Sequence, residues 1–377
     1  MQYIPRNQIE NLKNLLIPGK VVIVYGARQV GKTTLIKKFL ENLDEKVLFV
    51  DGDDITVKQY LESQSIIQLR DFVGDHSLLV IDEAQHVEKI GLNLKLTVDH
   101  IPNLKVLATG SSSFDLAKDV GEPLTGRKFV LKLYPLAQME ISQTESRHET
   151  EANLEGRLVY GSYPEVVTMH DNTMRKEYLR EIVSSYLFKD ILALEGLRYA
   201  NKLVRLLQLL GFQIGKEVSL TELGSQLGMS KNTVERYLDL LEKVFVIYRL
   251  GGFSRNLRKE ITKNSRYYFI DNGIRNAVIQ NFNPINLRDD LGVIWENYIL
   301  TERMKWREYL RKSGNAYFWR TYDKKEIDLV EERMGKLHGY EVKWAKTAKD
   351  APKDWQVSYP GAGFQIIHKA NYLEFIQ

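Results

Sequence analysis

Residues 21–35, VVIVYGARQVGKTTL, constrain this chain more than any other stretch. An apolar run leads into Gly26-Ala27-Arg28-Gln29-Val30-Gly31-Lys32-Thr33. This matches G-x-x-x-x-G-K-[ST], with a strand pattern before it and a helical pattern after it. Such a loop lets backbone N–H groups close around a polyphosphate, and the helix that follows adds the positive end of its dipole. Gly26 through Thr34 are therefore the expected nucleotide-binding set. Lys32 is expected to reach the β and γ phosphates, and the Thr33 hydroxyl to ligate Mg²⁺. ATP and Mg²⁺ are the expected cofactors.

The surrounding pattern sets the fold class. VLFVDGDD, HSLLVIDEA, LKVLATGSSS and KFVLKLYPL repeat the apolar strand pattern, with helical segments between them. Apolar strands alternating with helices predict a parallel sheet covered on both faces, here an α/β P-loop NTPase core over residues 1–140. The second of these runs, HSLLVIDEA, carries Asp82 and Glu83 at its end. Asp82 is expected to complete the Mg²⁺ shell, and Glu83 to orient and deprotonate the attacking water. Thr109 and Ser111–Ser113 follow another apolar run, where a hydroxyl either senses the γ-phosphate or caps a helix. Arg127, just before KFVLKL, is the candidate arginine finger, in cis or from a neighbouring subunit. The trans case implies a homo-oligomer. Otherwise Arg127 is an exposed surface arginine.

A chain of 377 residues accommodates two or three domains, and 44% hydrophobic with 27% charged residues suits ordinary globular cores. With no cysteine, disulfides and thiolate metal sites are excluded. MQYIPRNQIENLKNLLIPGK shows no apolar signal-peptide core, and no apolar run approaches the ~18 residues of a membrane span. A cytoplasmic location and no membrane partner are expected. A net charge of +4 is too small to argue for nucleic acid by itself.

Beyond the core the pattern changes. Residues 141–200 read as a helical lid. Residues 201–284 contain SLTELGSQLGMSKNTVERYLDLLEKV, with a turn at Gly228, which has the form of a helix-turn-helix. Ser219 is the expected cap of its first helix, with Glu222 three residues on. Ser230 or Asn232 caps the second, expected from Thr233 to Leu241. Lys231, Asn232, Thr233 and Arg236 are then available to double-stranded DNA. A strand and a basic hairpin follow, carrying Arg255, Arg258, Lys259, Lys263 and Arg266 beside Phe253 and Tyr267. Together they predict a winged helix, used either on a phosphate backbone or only for packing. Residues 285–377 open with a helix and end in strands. Asp328 is expected to end one strand and to lie beside Glu341 on the next, after a turn around Gly335. Glu341 and Lys343 share a face. Two carboxylates beside a lysine are a candidate Mg²⁺ site.

GARQVGKT, LVIDEAQ, TGSSSFDL, LTGRKFVLKLYPL and GSYPEVV, in this order and spacing, resemble a family of prokaryotic AAA+-related ATPases across nearly the whole chain. The resemblance implies an ATPase core, a helical and winged-helix middle, and a C-terminal domain like restriction endonucleases. It also implies that Gly161 and Pro164 face the adenine. Locally Pro164 is equally a helix breaker. Ser162 departs from the family, which commonly has a second glycine there. The Asp328, Glu341, Lys343 spacing resembles the PD-(D/E)xK nucleases, and Glu296 is where that fold adds an acidic residue. Two functions are expected from these signals. One is an ATPase coupled to DNA, with or without nuclease activity. The other is a nucleotide-controlled signalling or defence switch acting on a protein partner, with a structural C-terminal domain. A helicase, hinted at by Asp-Glu-Ala-Gln at 82–85, is disfavoured because no second motor pattern follows.

Overall fold

The computed structural model describes residues 3–111, 123–185, 200–253, 265–321, 323–347 and 350–377. These divide into two units. One holds Pro5–Pro135 with Lys243–Phe245, and the other holds the remaining described residues. In the first, strands β1 (Val21–Tyr25), β2 (Val47–Asp51), β3 (Leu78–Asp82), β4 (Lys105–Gly110) and β5 (Lys128–Lys132) form a five-stranded sheet in the order β2-β3-β4-β1-β5. Every pairing is parallel. All five strand patterns of the sequence appear here. β1 and β3 are buried at every position, as strands covered on both faces must be. The edge strands β2 and β5 leave Phe49 and Val130 partly exposed. The order places the carboxyl ends of β1 and β3 on either side of β4, the crevice where open α/β sheets bind ligands.

The second unit contains helices Gln138–Ile141, Arg147–Tyr160, Pro164–Thr168 and Asn172–Glu181. Pro164 stands at the first position of its helix, where its missing N–H leaves no bond unmade. Asp271 holds this segment by accepting the Ser162 N–H at 2.7 Å while capping helix Asn272–Val278. Helix Ala200–Phe212 leads to β6 (Glu217–Val218), helices Leu220–Leu227 and Lys231–Lys243, β7 (Ile247–Gly252) and β8 (Ser265–Phe269). The Ser219 side chain accepts the Glu222 N–H, as expected. Ser230 accepts the Thr233 N–H at 3.1 Å, so the next helix starts at Lys231 and Asn232 lies inside it rather than at its cap.

Helix Leu291–Tyr309 precedes β9 (Asn315–Arg320), β10 (Glu326–Arg333), β11 (Lys336–Val342) and β12 (Gly363–Ile367). A single seven-stranded sheet, β12-β11-β10-β9-β7-β8-β6, runs through this unit. β7 joins β9 in parallel at Gly251–Tyr317 and Gly252–Phe318, so strands on both sides of residue 284 share one sheet. Asp328 lies near the start of β10 and does not end it. The strand continues through Glu331, a fully buried carboxylate held by Arg303 at 2.9 and 3.1 Å. A charged residue inside a strand reads as a turn when its partner lies on a distant helix.

Candidate functional site

The P-loop takes its shape from two glycines. Gly31 adopts φ +93°, a left-handed conformation that side chains disfavour, and a Cβ on Gly26 would sit 2.2 Å from the Leu133 carbonyl oxygen. Arg6 braces the loop from outside, donating to Val30 O at 2.8 Å and Tyr134 O at 2.6 Å. The Lys32 ammonium is buried and lies over the carbonyls of Gly26 (3.1 Å) and Ala27 (3.2 Å). Burial lowers its pKa, and the charges of Glu83 and Asp82 oppose that shift without reversing it. A cavity of about 340 Å³ opens here, lined by Arg28, Gln29, Gly31, Lys32, Thr33 and Glu83 among others. Thr34, Asp53 and His86 also line it, and His86 Nδ1 stands 2.6 Å from Asp53 Oδ1.

Thr33 Oγ1 donates to Asp82 Oδ2 at 2.7 Å, joining the loop to the end of β3. This hydroxyl–carboxylate pair beside a buried lysine is the donor set that Mg²⁺ with a triphosphate requires, so the residues fit both groups. Ile81 pairs with Ala108, which sets Thr109 beside Asp82. The Thr109 hydroxyl donates to Asp82 Oδ1 and accepts the Glu83 N–H at 2.9 Å. Thr109 thus holds both acidic residues. Ser112 and Ser113 lie outside the described residues. Gln85 donates to Glu83 Oε2. The sequence reading assigned no role to Gln85, Asp53, His86 or Arg6. Only Gln85 carried a signal, its place two residues after the Asp-Glu pair.

Arg127 is not a finger in cis. Val21 pairs with Lys128 and Tyr25 with Lys132, so Arg127 lies at the far end of the sheet from the P-loop, about 16 Å along the strand direction. Its Nε donates to Asp99 Oδ1 at 2.7 Å. Gly161 and Pro164 belong to the other unit.

That unit brings the C-terminal candidates together. β10 and β11 pair with Leu329 opposite Tyr340, which sets Asp328 beside Glu341. Asp328 Oδ2 accepts the Val342 N–H at 2.9 Å, Lys343 Nζ stands 3.0 Å from Glu341 Oε1, and Tyr268 donates to Glu296 at 2.8 Å. The unforeseen member is Arg266. It is 1% exposed and lies 2.5 Å from Glu326, 3.5 Å from Asp328 and 4.5 Å over the Phe318 ring. Arg266 is therefore no DNA contact, and Tyr267 and Phe253 are buried too. Arg255, Arg258, Lys259 and Lys263 lie outside the described residues. Among the described residues no group of three or more His, Cys, Asp or Glu is arranged to hold a metal ion. Arg266 and Lys343 supply the cations that stand beside the cluster.

Burial first, and then the Asp328 charge, pushes the Glu296 carboxyl up to about 8. Burial and Glu341 push Asp328 up to about 6. The folded chain thus holds protons that the unfolded chain releases, so these groups make stability fall as pH rises from about 4.5 towards about 8. Glu296→Gln keeps an acceptor for Tyr268 and carries no charge. Its urea midpoint is expected to exceed wild type at the upper end of this range and to fall less steeply. Parallel slopes in the two proteins would sink the assignment.

Comparison with known proteins agrees with the first unit. A family profile described as an AAA domain matches residues 18–142. Profiles described as domains of unknown function, DUF8612 and DUF4143, match residues 151–285 and 291–357. The chain is similar to an uncharacterized protein of Mycobacterium tuberculosis, at 26% identity over 91% of this chain and 74% of that protein. An uncharacterized protein of Haemophilus influenzae is 26% identical over 87% of this chain and 84% of its own. Among solved structures it is similar to a Walker-type ATPase of Pyrococcus abyssi, with TM-score 0.45 and 17% identity over 72% of this chain and 93% of that one. The parallel sheet, the P-loop and the AAA match define residues 18–142 as an AAA-type, P-loop ATPase-like domain. Among the described residues, no helix is long and apolar enough to cross a membrane.

Proposed function

We propose that this chain is an AAA-type ATPase that hydrolyses ATP with Mg²⁺ and uses its nucleotide state to control DNA binding by the middle segment. The Thr33–Asp82 hydrogen bond carries the reading, because it joins the Asp82 carboxylate to the Thr33 hydroxyl, which lines the same cavity as Lys32 and Glu83. The loop N–H groups and Lys32 bind the phosphates. Mg²⁺, when bound at Thr33 and Asp82, supplies neutralisation of phosphate charge. Glu83 orients the attacking water and takes its proton. Arg127 serves a neighbouring copy, with Asp99 holding it at rest.

For DNA, the reading makes residues 201–284 a winged helix. Lys231, Asn232 and Arg236 are exposed at the start of helix Lys231–Lys243, and Arg255, Arg258, Lys259 and Lys263 add local charge. The C-terminal carboxylates are structural on this reading. The test is steady-state ATP hydrolysis with and without linear duplex DNA, at low and moderate salt. Stimulation that fades with salt is the expected result. The continuous sheet from β6 to β12 favours a second reading, a nucleotide-controlled switch acting on a protein. It predicts turnover indifferent to DNA, with a particle size that changes with nucleotide.

A further inference from the structure

We propose that Gln85 is a positioning residue for ATP hydrolysis, a two-ended bridge that aims the Glu83 carboxylate and ties it to the chain leaving β4. This rests on the ATPase reading above. The Gln85 carboxamide is engaged at both ends: Nε2 donates to Glu83 Oε2, and Oε1 accepts the Ser111 N–H at 3.3 Å. Glu83 is fixed at its backbone as well. Its N–H donates to Thr109 Oγ1 at 2.9 Å, and its φ is +48°. Non-glycine residues adopt such a conformation uncommonly, and here the Thr109 hydroxyl holds the backbone that adopts it. Thr109 therefore sets the direction in which the Glu83 side chain leaves β3, and Gln85 sets where that side chain ends.

Both holds come from one place. Thr109 lies on β4 and Ser111 is the first residue after it. A shift of the chain at the end of β4 therefore reaches the Glu83 carboxylate by two routes, through the backbone and through the side chain. A carboxamide suits the task because it donates without carrying charge. It holds the carboxylate without neutralising it, and one donor at Oε2 leaves the second oxygen to take a proton from water.

The test is steady-state and single-turnover ATP hydrolysis by the full chain in four forms: wild type, Gln85→Ala, Glu83→Gln and the double variant. Gln85→Ala is expected to lower kcat by about ten- to a hundredfold, as loosened catalytic groups do. Its KM for ATP and its affinity for a fluorescent ATP analogue are expected to stay within about twofold of wild type, the signature of an interaction made only in the transition state. In the Glu83→Gln background, Gln85→Ala is expected to cost nothing further, because the group it positions is already gone. Gln85→Glu keeps the size but sets a second carboxylate against Glu83, and is expected to lose more than alanine.

A wild-type kcat in Gln85→Ala overturns the proposal, and so does a loss carried by KM alone. The same loss in both backgrounds also overturns it, since that marks a residue that only supports the fold. A wild-type chain that binds the analogue without turning ATP over overturns the ATPase reading and this inference together. An active wild type with an indifferent Gln85→Ala overturns the inference alone.

Discussion

Glu83→Gln is expected to lower ATP turnover by about 10²- to 10⁴-fold while nucleotide binding stays intact. The substitution preserves size, and the new side-chain carbonyl still accepts the Gln85 donor, so the turn after β3 keeps its bonds. Lys32, Thr33 and Asp82 remain in place to hold phosphate and Mg²⁺. What disappears is the basic oxygen that takes the proton of the attacking water. Lys32→Ala should behave differently, losing binding itself, because the Lys32 ammonium is the cation expected to reach the β and γ phosphates. Titration with a fluorescent ATP analogue separates the two. Wild-type hydrolysis by Glu83→Gln would remove Glu83 from the base role, and loss of binding in that variant would give it a structural one instead.

The contrast between what was and was not legible in the sequence follows the range of the interactions. The P-loop and the Asp82-Glu83 pair could be read because each depends on a short stretch, a strand that ends in a loop or in two acids. The five parallel strands were legible for the same reason. Thr109 was only half legible: its place at a strand end was visible, but its partners depend on which strand lies beside β4. Arg127 needed the register of β1 against β5 before its distance from the P-loop could be known. The hairpin residues misled because composition does not report depth. Arg266, Tyr267 and Phe253 look like a basic and aromatic surface. Yet β8 lies between β7 and β6 in the larger sheet, and the acids that receive Arg266 come some sixty positions later. A buried arginine is recognisable only once its carboxylates are known.

Arg266→Ala tests that burial most severely. The guanidinium is enclosed, 2.5 Å from Glu326 and 3.5 Å from Asp328, and stacked on Phe318. Taking away one partner of a buried ion pair costs about 3–5 kcal/mol, since the remaining charge is left in a medium that solvates it poorly. Glu326 is half exposed and can turn to water, but Asp328 cannot. The loss is a large fraction of the whole stability of a typical domain, about 5–15 kcal/mol, so a large drop in melting temperature or in soluble yield is expected. Arg266→Lys should lose less, keeping the charge but not the planar fork or the ring stack. Mg²⁺ provides the opposing case. If these carboxylates were built for a metal, the ion would stabilise the nucleotide-free Lys32→Ala chain, whose P-loop is disabled, and it would rescue Arg266→Ala by replacing the lost charge. Neither effect is expected, because Arg266 and Lys343 already balance the acids and the described residues present no metal cage. A saturable rise in melting temperature with Mg²⁺ in the Lys32→Ala chain, abolished by Asp328→Asn, would reverse the assignment and return the cluster to metal chemistry.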